Sequence, residues 1–271
     1  MRIEIIHAST YRYEGPIAHA VQALRLTPPP CAGQTTVSWA VEAPGIDTAT
    51  GYIDAYGNRV DLAASRLATD TLRVVAAGVI ETTDTGGVVG ITQESVSAGV
   101  FLRQTPATAA SGAMAELAAS ATQANQLSSM HALMQAVHRR VGYDITATHS
   151  TTTAAQALAA GRGVCQDHAH ILIGAARAVG IPVRYVTGYL VLDEPEDGAV
   201  RGPEAAHHAW AEALIPDLGW VGFDAANCLC PTERYVRLTS GLDAASAAPI
   251  RGVRRGLGRE SLVVEVSVTG T

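Results

Sequence analysis

Over roughly the first ninety residues, apolar and polar positions alternate in short runs, MRIEIIHASTYRY, TTVSWAVEA and TLRVVAAGVIET, separated by turn signals at TPPPCAG, EAPGID, DAYGN and DTGG. A period of two with turns at this spacing predicts several short strands forming a small antiparallel sandwich or half-barrel. Residues 84–104 carry weak periodicity and precede Pro106, so they read as a connection. A boundary is expected near residue 100, dividing a β-rich N-terminal domain (1–100) from a second domain (101–271). From about 107 to 141 the period lengthens, with Leu127, Met130, Met134 and Val137 at helical spacing. TTAAQALAAG predicts a short helix ended by Gly161, and a longer helix is expected from Cys165 to about Val179, stopped by Gly180 and Pro182. VRYVTGYLVL, HHAWAEALI and GWVGFDAA read as strands, the last two joined by the turn PDLG. SLVVEVSVT, about 261–269, is a final strand placed to pack back on the N-terminal domain.

Length and charge narrow the class. A chain of 271 residues can bury a core without covalent staples, and its four irregularly spaced cysteines do not form the framework of a small secreted domain. A reducing cytoplasm suits them, and the N-terminus shows no basic segment leading into an apolar run. No apolar stretch is long enough to span a bilayer, so no membrane partner is expected. The formal net charge of -6 gives no reason to expect nucleic acid. The basic run Arg251–Arg259 is short and glycine-spaced, and reads as a solvated loop.

Candidate chemistry begins at Cys165, where a glycine-bracketed loop becomes the first turn of an apolar helix. Unpaired amides and the helix dipole at that position favour a thiolate, and the same N–H groups can receive an oxyanion. Alone, such a cysteine is more often a small buried hydrophobe. It is accompanied by His208, opening one strand, and by Asp224, in the next. A hairpin would set the two side chains on one face, as a general base and its orienting acid require. The plain alternatives are a satisfied core histidine and a turn aspartate.

The blocks GRGVCQDHAHILIGAARAVGIPVRYVTGYL and HHAWAEALIPDLGWVGFDAAN resemble the core of bacterial transglutaminase-like proteins, in which G-V-C-x-D carries the nucleophile, H-A-W-x-E the histidine and G-F-D the aspartate. All three blocks occur in order across roughly residues 130–230, and STYRYEGPIAHAVQALRLTPPP with DAYGNRV resembles the β-rich domain that often precedes this core. The resemblance implies an α+β fold: a papain-like, transglutaminase-like core, with the nucleophile helix packed on an antiparallel sheet, preceded by a sandwich-like N-terminal domain. It implies Cys165 as nucleophile, His208 as base and acid, and Asp224 as orienter. Trp210, two positions after His208 on the same side of its strand, is a candidate shield for the ion pair, and Gln166 and Tyr143 are candidates for oxyanion binding or cleft lining. Ala225, Ala226 and Asn227 follow Asp224 where the family often has a bulky residue and Thr-Asn, which bears only on the local turn.

No cofactor and no metal are called for. Asp167, His168 and His170 point in different directions on a helix, and Cys228 and Cys230 form a C-x-C with no second pair, read as two small buried side chains. His7, His19, His131, His138 and His149 show no identifiable partners. The expected reaction is acyl transfer through a thioester on a peptide or amide substrate. Water as acceptor makes a cysteine peptidase or amidase, the favoured reading; an amine makes a transferase; a non-catalytic binding module on the same fold is the reading from another class. Specificity is expected from loops 142–155 and 191–206, the second carrying Asp193, Glu194, Glu196 and Asp197. Oligomeric state is left open.

Overall fold

A computed structural model describes residues 1–66, 69–92, 94–192, 206–256 and 258–271. The acidic positions 193–197 lie outside the described residues. The N-terminal strands are β1 (Arg2–Ile17), β2 (His19–Leu24), β3 (Gln34–Glu42), β4 (Thr50–Ile53), β5 (Arg59–Ser65), β6 (Thr69–Thr82) and β7 (Val88–Gly90). Then follow α1 (Gly112–Ser120), α2 (Gln126–Arg140), β8 (Gly142–Tyr143), α3 (Ala154–Ala160), β9 (Arg162–Gly163) and α4 (Cys165–Ala178). The chain closes with β10 (Val183–Leu190), β11 (His207–Ile215), β12 (Gly219–Phe223), β13 (Tyr235–Gly241), β14 (Ile250–Arg255) and β15 (Glu260–Gly270).

Two four-stranded antiparallel sheets, β15-β1-β6-β3 and β14-β2-β5-β4, carry the alternation read from the N-terminal sequence. Their inward positions, among them Ile3, Ile5, Leu24, Ala63, Leu72 and Ile80, share one core. β14 and β15 come from the far end of the chain, so both chain ends are tied into these sheets. The same core takes in Tyr189, Val236 and Leu238 from β10 and β13, which seats the N-terminal sheets on the second half of the protein.

The third sheet, β13-β10-β11-β12-β7, is antiparallel throughout. Its edge strand β7 lies within 84–104, a stretch whose sequence suggested only a connection; three residues pairing at an edge leave too short a period to read. On one face of this sheet α4 packs against β10 and β11, and α1, α2 and α3 pack against α4 in turn. Every residue of α4 from Asp167 to Arg177 is buried, as expected of a helix enclosed on all sides. Gly174 permits the closest approach: a Cβ there would lie 2.3 Å from the Thr108 carbonyl oxygen and 2.4 Å from the end of Met114.

This topology selects where chemistry can occur. β10 follows α4 through the turn at Gly180–Pro182 and runs back along the helix, ending at Tyr189 and Leu190 beside the helix start. β11 pairs antiparallel with β10, placing His207 opposite Tyr189 and His208 opposite Gly188. The head of α4, the beginning of β11 and the end of β12 therefore meet at one end of the sheet. Among the described residues, no helix is long and apolar enough to cross a membrane.

Candidate active site

Cys165 is the first residue of α4 and is partly buried against the helical core. Its helix start is shaped by Asp167, three residues after Val164, whose fully buried carboxylate accepts from the Val164 N–H through Oδ2 at 2.9 Å. The same oxygen accepts from Thr148 Oγ1 at 2.6 Å, fastening the loop after β8 to the helix. Gly163 is required by this contact, since a Cβ there would lie 2.7 Å from both Cβ and Oδ2 of Asp167. Gly163→Ala is accordingly expected to cost about 1–3 kcal/mol through overpacking. A melting curve should show the midpoint lowered by several degrees, together with slower alkylation of Cys165; an unshifted midpoint would show that the helix start can yield.

Alternation along β11 divides its residues between two environments. Ala209, Ala211 and Ala213 enter the core beneath α4. His208, Trp210 and Glu212 take the opposite parity, as the H-A-W-x-E spacing requires. The β11–β12 ladder pairs Ala211 with Phe223, so Asp224 is the next residue beyond the last rung and lies beside His208. His208 Nε2–H donates to Asp224 Oδ2 at 2.7 Å, and the imidazole lies close enough to Cys165 for that side chain to influence its charge. With Nε2 turned to the carboxylate, Nδ1 is the nitrogen left for the sulfur.

Asp224 is fully buried and heavily bonded. Oδ2 also accepts from Tyr235 OH at 2.7 Å and Asn227 Nδ2 at 2.8 Å, while Oδ1 accepts from the Ala226 and Asn227 N–H groups at 2.9 and 3.2 Å. Burial alone would raise its carboxyl, but these donors and the His208 charge outweigh it and hold Asp224 below the ordinary carboxylate range. Burial likewise opposes a charged His208; the hydrogen bond to Asp224 and the nearness of Cys165, with the charges of both, override it and raise the imidazole to about 10. Trp210, 2% exposed, stacks on His208 with ring centres 6.4 Å apart and meets Tyr235 edge-on at 5.5 Å. The pair thus has an aromatic wall that keeps water from its flank.

Of the six candidate residues from the sequence, His208 and Asp224 are hydrogen-bonded, Cys165 is near enough to raise the imidazole, and Trp210 stacks on His208. Tyr143 lies at the helix start: burial first, then the charges of Cys165 and Asp224, push its phenol up to about 12. Gln166 turns its side chain to the backbone of the neighbouring loop, donating to the Ser150 carbonyl at 3.3 Å. Sequence reasoning missed Tyr235, Thr148 and the holding role of Asp167. Tyr235 and Thr148 reach the site across loops with no fixed spacing, whereas Asp167, as the third residue of its helix, carried a capping signal.

Three expectations about side chains and loops need correction. The basic run read as a solvated loop from Arg251 is strand β14 as far as Arg255, paired with β2 at the edge of a sheet. Cys228 and Cys230 are half-buried, not buried, and Cys228 takes a left-handed backbone with φ 57° in the turn that returns from Asp224 to Leu229. Three of the histidines read as lacking partners have them. His7 is buried with Nδ1 2.9 Å from Tyr189 OH; His131 meets Phe223 edge-on; and His138 Nδ1–H donates to the Ala225 carbonyl at 3.1 Å. Asp167, His168 and His170 do diverge: His168 nitrogens lie 2.9 Å from the Val164 and Val141 carbonyls, and His170 Nε2 accepts from the Ala244 N–H.

A cysteine at a helix head facing a histidine and an aspartate on an antiparallel sheet defines a papain-like, transglutaminase-like fold. Residues 115–225 match the family model of the transglutaminase-like superfamily, and residues 3–81 match that of the bacterial transglutaminase-like N-terminal region. An uncharacterized protein of Mycobacterium leprae is 30% identical over 99% of this chain and 98% of its own length. An uncharacterized protein of Mycobacterium tuberculosis is 34% identical over 48% of this chain and 43% of its own. The crystal structure of a "Putative Cysteine Protease" from Cytophaga hutchinsonii superposes with a TM-score of 0.70 at 23% identity, covering all of this chain and 91% of that one. The chain belongs to the transglutaminase-like superfamily.

Proposed function

We propose that the protein is a cysteine-nucleophile hydrolase of peptide or amide bonds, with Cys165, His208 and Asp224 as its catalytic triad, working in the cytoplasm without cofactor or metal. The observation that carries this reading is the single imidazole of His208, which donates to the buried Asp224 carboxylate at 2.7 Å and is raised by that partner together with Cys165. In this mechanism the Cys165 thiolate attacks the substrate carbonyl, and the oxyanion is received by N–H groups at the head of α4, which have no partner within the helix. His208 then gives its proton to the departing amine as the C–N bond breaks, leaving a thioester. A water next attacks the thioester, His208 takes its proton, and the carboxylic acid departs as the Cys165 sulfur is restored. Asp224 keeps the imidazole oriented through both steps.

The raised His208 value gives a pH prediction. An imidazole whose folded value lies above its unfolded value of about 6.5 contributes stability fully below that pH and loses it as pH rises through about 10. The acid form that protonates the amine follows the same course, so kcat/KM is expected to show its alkaline limb near pH 10. A limb near pH 7 would contradict the pairing.

The acceptor is tested by offering a peptide library with and without excess primary amine and resolving acyl-enzyme and products by mass. The expected result is an acyl adduct on Cys165 and free acid as the product in both cases. An amide product with the added amine would make the protein a transferase, and no adduct with any substrate would favour the binding-module reading.

A further inference from the structure

The segment after β8 is built as a rigid ledge beside the nucleophile. β8 pairs in parallel with β9, immediately before Val164 and Cys165, and the Asp144 N–H continues the ladder by donating to the Gly163 carbonyl at 3.0 Å. Asp144 then closes a turn on itself, its Oδ1 accepting from the Thr146 N–H at 2.9 Å and from Thr146 Oγ1 at 2.7 Å. Thr148 is fastened to the buried Asp167, and Gln166 to the Ser150 carbonyl. The loop is thus held at its start by β9 and further along, at Thr148 and Ser150, by the first turn of the nucleophile helix.

On this ledge stand two large side chains that reach the surface: Tyr143, 58% exposed with the rest of its ring covered, and Ile145, 76% exposed, in the turn closed by Asp144. Isolated exposed hydrophobics are ordinary on protein surfaces. These two differ in being two residues apart, on a fixed backbone that pairs with the strand leading into Cys165, with the Tyr143 ring stacked 6.2 Å from His168 in the first turn of α4.

We infer that Tyr143 and Ile145 form an apolar subsite that takes a large aliphatic or aromatic side chain on the acyl side of the scissile bond. This rests on the hydrolase reading. The side is set by the chemistry: the leaving amine must depart toward His208, which protonates it, so the portion retained on sulfur lies toward the helix head and the ledge packed on it. A rigid wall loses little conformational freedom when a side chain covers it, so the area it buries goes into binding.

The test measures kcat/KM for N-acetyl-X-Gly anilides, with X as Gly, Ala, Leu or Phe, in the wild-type protein, Ile145→Ser and Ile145→Leu. Both variants change a solvent-facing side chain, so folding should persist. In the wild type, Leu and Phe are expected to exceed Gly by about 10- to 100-fold. Ile145→Ser should reduce that ratio by about fivefold or more, and Ile145→Leu should retain it. Equal rates across X, or a preference untouched in Ile145→Ser, would overturn the subsite while leaving the hydrolase reading intact. Failure to cleave any anilide, with no acyl adduct on Cys165, would instead remove the hydrolase reading and the subsite with it.

Discussion

Asp224→Asn is expected to lower kcat by about 10²- to 10⁴-fold with a smaller change in KM. Both oxygens of this side chain accept, from five donors in all: His208, Tyr235 and Asn227 side chains on Oδ2, and the Ala226 and Asn227 N–H groups on Oδ1. An amide has one oxygen. Whichever way Asn is turned, its NH₂ meets groups that already donate, so the imidazole loses its anchor or the turn after β12 loses its closure. Tyr235→Phe removes one donor and leaves the carboxylate, and should cost about tenfold or less. Single-turnover kinetics on the two variants, with melting curves to measure the folding cost separately, check the ranking. A loss in Tyr235→Phe equal to that in Asp224→Asn would mean that the hydroxyl takes part in the reaction itself.

Glu212→Ala is expected to be the most destabilising single change, at about 3–5 kcal/mol. Glu212 and Arg184 are fully buried, and Glu212 Oε2 receives Arg184 Nε at 2.6 Å while Oε1 receives Arg237 Nε at 3.0 Å. Burial would raise the Glu212 carboxyl, but the charges of the two arginines and their hydrogen bonds outweigh it and hold it below the usual range. Removing the carboxylate leaves two guanidinium groups enclosed with their main partner gone. Arg184 keeps its stacking on Trp220 at 4.1 Å and its contacts to Thr92 and Glu94, none of which replaces the lost charge in full. A fall in the melting midpoint of about 8–15 °C should follow. Because a depressed acid contributes stability above its unfolded value and loses it as pH falls through the folded one, the wild-type advantage over Glu212→Ala should shrink below about pH 4. An advantage unchanged between pH 7 and pH 3 would show that packing, not charge, is responsible.

Much of the site was legible because its geometry follows from short-range periods. The spacing His208, Trp210, Glu212 puts all three on one face of a strand, and the Gly-rich approach to an apolar helix marks Cys165 as a helix head. The meeting of these pieces needed only the order helix, strand, strand, strand, with short turns after the helix and between the last two strands. What could not be read was whatever crosses the chain without a period. Tyr235 reaches Asp224 from β13 after a nonregular turn, and Thr148 reaches Asp167 from a loop. His7 meets Tyr189 across 182 residues, and Arg184 meets Glu212 only because their strands pair in that register. β7 escaped for a related reason: a three-residue edge strand carries too few positions to show alternation.

The central claim is that His208 activates the sulfur at the head of α4, and site-resolved alkylation reads it most directly. At pH 7 a limiting dose of iodoacetamide is followed by mass spectrometry at all four cysteines, in the wild type and in His208→Ala. Burial raises the thiols of Cys31 and Cys230, the latter to about 11, which slows them further. Cys165 is expected to react at least about tenfold faster than any other cysteine in the wild type, and to lose that lead in His208→Ala. Labelling of Cys165 at the same rate in both proteins, or no faster than Cys228, would contradict an activated nucleophile at this site.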